Sequence, residues 1–412
     1  MGYPVIFQIE DVYYPVLAAV GVPVNLVAIV ILFRGKCGLS KCISVYLVGM
    51  AVADLLVVIT DPILRWIVPI YFPVSFLDIT PVCSIIKSLG VATAVVSVWL
   101  TVAFTFDRFV AICCEKLKTK YCTEKMAAVV LGTVSALGCL ESIPWYFTLK
   151  PEYIFNNVPW GCATKLSFRT SSAWATFDLF HRILTPCVPF FLILLLNILT
   201  VKRILAASRV RRGLRGRSNG EHQKDPEMEN RKKSIILLFS ISGSFILLWV
   251  GQVVNNIYLR ITDVQYYSSY SDPLFIIAHT AKILQLLSSC TNTCIYVLTQ
   301  SKFREELKNV VKYPLILVKA RSSGCRKRQK LRMGTSVKTN REQGYQLLCG
   351  TLSNAFIIEM YFIPSSTLPV TSSENSNKIL QNPVDLTSPT EEHYHRIFAH
   401  AVRWPSGKAS VS

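Results

Sequence analysis

The stretch FTFDRFVAICC, residues 104–114, closes a long apolar run with two adjacent full charges, Asp107 and Arg108. The run reaches back to residue 84, far enough for one helix to cross a hydrocarbon layer, which takes roughly 20 residues. Six further runs of that length flank it, so the chain reads as seven spans: 13–33, 43–64, 84–107, 126–149, 179–201, 235–259 and 274–299. Composition agrees: 51% of the 412 residues are hydrophobic and 17% charged, with a mean hydropathy of +0.39. A soluble protein of this length would carry more charged surface. The fold class is therefore an all-α membrane protein, a seven-transmembrane helix bundle.

Basic residues orient the bundle, because Lys and Arg accumulate on the cytoplasmic side. Loops 34–41, 108–125 and 202–233 hold three, five and eleven of them, whereas segments 1–12, 65–87, 150–182 and 260–273 hold none, two, four and one. The N-terminus is thus expected outside and the C-terminus in the cytosol. No basic leader or small-residue cleavage site precedes the first span, which is read as a signal anchor. The net charge of +19 follows from this topology and from attraction to anionic inner-leaflet lipid; basic residues that flank spans speak against nucleic acid as a partner.

Three regions follow: a short extracellular segment 1–12, the seven-helix domain 13–313, and a cytosolic tail 314–412 read as disordered. Within 301–313, SKFREELKNVVKY, the residues Phe303, Leu307, Val310 and Val311 recur at helical spacing amid charges. This is expected to be a short amphipathic eighth helix on the inner membrane surface. Of 13 cysteines, Cys83 and Cys162 fall outside, where an oxidising medium favours a disulfide; two free thiols are the alternative.

Ionisable and polar groups inside spans are costly and mark function by default. Asp54 lies in the second span and Arg108 at the end of the third. Asn25, Trp249, Asn292 and Tyr296 lie in the first, sixth and seventh. Matching depths on several helices point to an interior polar network. Alone, Asp54 reads equally well as a buried carboxyl satisfied by its neighbours, and the Asp107–Arg108 pair as a membrane-end anchor with the Arg reaching to the surface.

In order, Asn25, AVAD ending at Asp54, Cys83, Asp107-Arg108-Phe109, Trp249 and Asn292…Tyr296 resemble the rhodopsin-like (class A) G-protein-coupled receptors over roughly 13–313. TPCVPFFLILLLNILTVKRI and CTNTCIYVLTQSKFREELK are similar to one subgroup, the receptors named probable G-protein coupled receptor 139 and their fish paralogues. The resemblance implies a cell-surface receptor in the plasma membrane, not an enzyme, that couples ligand binding to a heterotrimeric G protein of the calcium-mobilising class. It implies an activation switch built from Asp107, Arg108, Phe109, Trp249, Asn292 and Tyr296, with Arg108 reaching the G protein when the sixth helix swings out. It also implies a sodium site at Asp54, Ser97, Ser288 and Asn292, with no cofactor required.

The chain departs from the family pattern at several points. Gly251 stands where a Pro usually follows the Trp, Thr293 where Pro follows the Asn, and Asn197 where the fifth helix usually has Tyr. Arg231 stands where some relatives have an acid, which leaves Asp107 alone to hold Arg108. Gly90 replaces the Asp that pairs with amines, and Lys282 lies about a turn from the retinal lysine's place. The outer halves instead offer Arg65, Lys87, His181, Arg182, Gln252, Asn255, Asn256, Arg260, His279, Lys282 and Gln285. Cations dominate, so a carboxylate-bearing ligand is expected, an amino acid or a short peptide. A multi-pass transporter or channel is the alternative; the odd span number and the absence of repeats count against it.

Overall fold

The computed structural model describes residues 4–72, 75–215, 226–262, 270, 272–310 and 312, without the side chains of 169, 210–215, 226–231 and 260. Seven helices are long and apolar enough to cross a membrane: α1 (Val5–Phe33), α2 (Lys41–Tyr71), α3 (Thr80–Cys113), α4 (Glu124–Tyr146), α5 (Ser172–Arg209), α6 (Lys232–Leu259) and α7 (Pro273–Thr299). Their starts carry ordinary signals. Ser40 and Thr123 accept backbone N–H bonds ahead of α2 and α4, and Asp272 does so ahead of α7. Each satisfies an N–H that the first turn leaves open. Pro stands in the first turn of α3 and α7, where its missing N–H costs nothing.

Each helix packs against its neighbours, and α1 closes the ring on α7. Helix α3 runs through the middle, touching α2, α4, α5 and α6. Close approach is set by small residues: a Cβ on Gly138 of α4 would stand 2.8 Å or less from Val96 of α3, at 2.7 Å. Outward faces stay apolar; Leu247, Val254 and Leu298 are all more than half exposed. In water such faces would be a liability, whereas in lipid they are the natural surface.

Four helices differ from the sequence expectation. Helix α1 starts at Val5, not near residue 13, because Glu10 is fully buried rather than solvated: it binds His279 of α7 at 2.7 Å. Helix α2 extends to Tyr71 through a π-helical stretch, Ile59–Ile67, around Pro62. Proline cannot donate to the ladder, and π turns commonly absorb the resulting register change. Helix α3 runs to Cys113, so Asp107 and Arg108 lie within its last two turns instead of beyond its end. Helix α5 begins at Ser172 and passes through a π-type turn, Ile183–Cys187, at Pro186.

Short strands, not foreseen in the sequence, fill the loop between α4 and α5. Strands β1 (Leu149–Lys150) and β4 (Ala163–Thr164) pair antiparallel around the hairpin of β2 (Tyr153–Phe155) and β3 (Val158–Trp160). Asn156 and Asn157 make the hairpin turn with φ of 51° and 60°, a conformation Asn tolerates best after Gly. Cys162 is disulfide-bonded to Cys83 at the start of α3, and Thr80 Oγ1 donates to Gly161 O at 2.8 Å. The hairpin is thereby fixed over one end of α3.

After Gln300 the chain is helical again over 301–308. Phe303 is fully buried, and its ring meets Tyr296 edge-on at 5.8 Å. Residues 311 and 313 of the expected eighth helix, and the tail 314–412, lie outside the described residues.

Candidate functional site

Three polar clusters lie along the bundle axis. The first is at the Arg108 end. Arg108 and Asp107 are buried and form an ion pair through Nε and Nη2. Arg108 Nη1 also donates to Ser234 Oγ of α6 at 3.4 Å. Asp107 is therefore not the only group holding the arginine; a neutral hydroxyl of α6 assists, a position that hydropathy reading passes over. Cys42 Sγ reaches Asp107 Oδ1 at 3.3 Å, and Cys122 Sγ donates to Asp107 O at 3.6 Å. Burial and the adjacent Asp107 carboxylate push the Cys122 thiol up to about 11, so it remains a protonated donor. Phe109 is half-buried beside the pair.

The second cluster is mid-bundle. Asp54 accepts hydrogen bonds from Ser97 Oγ at 2.6 Å and from Asn292 Nδ2 at 2.8 Å. Trp249 Nε1 donates to Ser288 Oγ at 3.2 Å, and its ring stacks on Phe245 at 5.2 Å. Asp54, Ser97, Ser288 and Asn292 line one small cavity with Trp249. A buried carboxylate with hydroxyl oxygens beside it and no cation against it has the oxygen chemistry a hard monovalent cation requires. The donor set fits a sodium ion. Asn25 Nδ2 ties α1 to α7 by donating to Ser289 O at 2.8 Å. Thr293 Oγ1 donates to Val24 O of α1 at 3.3 Å, so it bonds across helices and not back along its own. Tyr296 OH is buried with no partner.

The third is a cavity of about 280 Å³ at the Cys83 end. Trp249 lines both it and the Asp54 cavity, forming the wall between them. Of the expected binding residues, Arg65, Lys87, His181, Arg182, Gln252, Asn256, Lys282 and Gln285 line it. Gly90 lines it too; a Cβ there would stand 3.8 Å from Thr60 Oγ1. Two expected residues are elsewhere. His279 is diverted to Glu10 of α1 and packs on Phe275 at 4.2 Å. Asn255 is buried away from the cavity. The side chain of Arg260 lies outside the described residues.

Most of the cavity's charges are already paired. Asp61, in the π turn of α2, meets Lys282 Nζ of α7 at 2.6 Å and Arg65 Nη1 at 3.8 Å. It also accepts from Trp66 Nε1 at 3.1 Å. Arg182 is held by Asp178 at 2.6 Å and donates to Asn256 Oδ1 at 3.3 Å. His181 Nδ1 pairs with Glu141 Oε1 of α4 at 2.7 Å, which makes it an interhelical tie as well as a wall. Among the described residues, Lys87 has neither an ion-pair nor a hydrogen-bond partner. Asp61, Asp178 and Trp145 complete the wall and were missed in the sequence. Asp61 was findable: TDP within an apolar run is an ionisable group inside a span, the same signal that marks Asp54.

A closed bundle of seven membrane-length helices, with a disulfide-pinned hairpin over a polar cavity and a buried Asp–Arg pair at the far end, has the architecture of a seven-helix membrane receptor. The family model for the 7 transmembrane receptor (rhodopsin family) matches residues 24–296, and the chain belongs to that family of G-protein-coupled receptors, which are receptors and not enzymes. It is 22% identical over 333 residues to the type-2 angiotensin II receptor of Homo sapiens, covering 78% of this chain and 85% of that one. It is 23% identical over 305 residues to neuropeptide receptor 22 of Caenorhabditis elegans, covering 71% and 67%. Similarity to C-C chemokine receptor type 1 of Macaca fascicularis is 21% over 310 residues, covering 74% and 80%.

Proposed function

We propose that this receptor stands in the plasma membrane with its N-terminus outside and its C-terminus in the cytosol, and that it binds a small carboxylate-bearing ligand, an amino acid or a short peptide, in the cavity lined by Lys87. The observation that carries this reading is the charge of that wall. Arg65, Lys87, Arg182 and Lys282 face Asp61 and Asp178, and Lys87 is the cation left without a partner among the described residues. A partly buried, uncompensated ammonium is costly, and a carboxylate would offset that cost while making a charge-assisted hydrogen bond. Trp145, Ile86 and Val91 give the ligand an apolar wall. Peptides in the names of the relatives, angiotensin and neuropeptide, support the short-peptide form, whose terminal carboxylate would enter first.

Ligand contact with the Trp249 wall shifts the packing of α6 against α3. Arg108 then leaves Ser234 and Asp107 and meets the G protein. Asp54, Ser97, Ser288 and Asn292 would hold a sodium ion that favours the closed packing. The likeness to the receptors named probable G-protein coupled receptor 139 rests on two sequence stretches; with it comes the calcium-mobilising G protein. The test is a calcium readout in cells expressing the receptor, with aromatic amino acids and short peptides applied outside. Lys87→Gln at matched surface level is expected to raise the half-maximal concentration at least tenfold. An unchanged value would remove Lys87 as the carboxylate anchor.

A further inference from the structure

We propose, resting on the carboxylate reading above, that Asp61 sets the charge of the ligand: it occupies Lys282 and Arg65 in place of a second ligand anion, so that the cavity takes a singly charged carboxylate and loss of the Asp61 charge turns it toward dicarboxylates. Asp61 is built into its place. Pro62 and the π turn around it carry the residue on α2, and Trp66 Nε1 holds Oδ1 at 3.1 Å. Trp66 is itself buried and stacked on Tyr14 at 5.3 Å. Lys282 crosses from α7 to Oδ2 at 2.6 Å. The carboxylate side chain is 11% exposed, against 32% for Arg65 and 31% for Lys282. Asp61 is thus a fixed internal anion, and the two cations bend onto it from the cavity wall.

The charge balance excludes the opposite role for Asp61, as a receptor for a ligand ammonium. One carboxylate already carries two cations, so the cluster is net positive and a third cation would be repelled. A ligand's amino group is therefore not recognised here, and its carboxylate goes to Lys87. Without the Asp61 charge, Lys282 and Arg65 are freed on the same wall as Lys87, which is enough cation for two carboxylates.

The experiment uses the full-length purified receptor and two probes that share an apolar body, 3-phenylpropionate with one carboxylate and phenylsuccinate with two. Half-saturating concentrations are read from the shift in thermal unfolding. In the wild type the monoacid is expected to bind no more weakly than the diacid, and Lys87→Gln to weaken the monoacid at least tenfold. Asp61→Asn, which keeps an oxygen for Trp66, is expected to move the diacid-to-monoacid preference at least tenfold toward the diacid. Asp61→Asn combined with Lys282→Gln should remove that gain. An unchanged preference in Asp61→Asn, with the monoacid still dependent on Lys87, would overturn the role of Asp61 and leave the carboxylate reading standing. No shift with either acid in any variant would overturn both. If Asp61→Asn does not fold, Lys282→Gln carries the test. It unmasks Asp61 and is expected to weaken the monoacid at least threefold, although Lys282 does not bind it; an unchanged value overturns the proposal.

Discussion

Arg108 is a buried cation with one full counter-charge and one hydroxyl. Removing a partner from such a pair is expensive, about 3–5 kcal/mol, because the remaining charge is uncompensated. The side chain therefore has two good environments, the closed bundle and an anionic or carbonyl-rich partner, and no good intermediate. Asp107→Asn is expected to raise basal G-protein activation severalfold at matched surface level; a basal signal at wild-type level would count against the pair as a restraint. Ser234→Ala removes only the weaker contact and should raise basal signal less than Asp107→Asn, as a side-by-side assay would register. At this scale the sequence was informative where a charge or amide interrupts a span. Asp54, Arg108, Asn292 and Lys87 stood out by that rule, and so should Asp61 have done. Pairing was not legible. That His279 goes to Glu10, that His181 goes to Glu141, and that Ser234 touches Arg108 depend on helix rotation and depth, which periodicity in an apolar run barely constrains.

Elements carry the second set of consequences. The π stretch in α2 changes the phase of everything after Pro62, since each added residue turns a helix by about 100°. Pro62→Ala permits a regular α-helix and would rotate Asp61 and Arg65 relative to Lys282. The ion pair across α2 and α7 should weaken, and thermal stability should fall by about 1–3 kcal/mol; a crosslink between cysteines placed at 61 and 282 would report the rotation directly. Gly251 is the reverse case. A Cβ there would meet Ala281 Cβ at 3.5 Å, ordinary contact, so Gly251→Ala is expected to stabilise α6 by up to about 1 kcal/mol, read as a higher unfolding temperature. The helices were legible as apolar runs of membrane length. Their ends were not, because polar residues such as Glu10 are buried by pairing, and the strands between α4 and α5 are too short to leave a pattern.

For the whole molecule, the central claim is a two-state bundle that joins a cavity at the Cys83 end to Arg108 at the other through Trp249 and α6. The Cys83–Cys162 disulfide closes a long loop over the cavity mouth, and Cys162→Ser is expected to cost about 2–5 kcal/mol and to lower the amount of receptor at the surface, as surface labelling would show. Membrane orientation was legible from the basic loops alone; an epitope at the N-terminus should label on intact cells. The ligand was legible only as a charge class, because recognition depends on which cations are already paired. The most direct measurement is G-protein activation by wild type, Arg108→Ala and Asp107→Asn at equal surface levels, basally and with carboxylate ligands outside. The account predicts activation above background in wild type, more basal activation in Asp107→Asn, and none in Arg108→Ala. Equal activation in wild type and Arg108→Ala would contradict it.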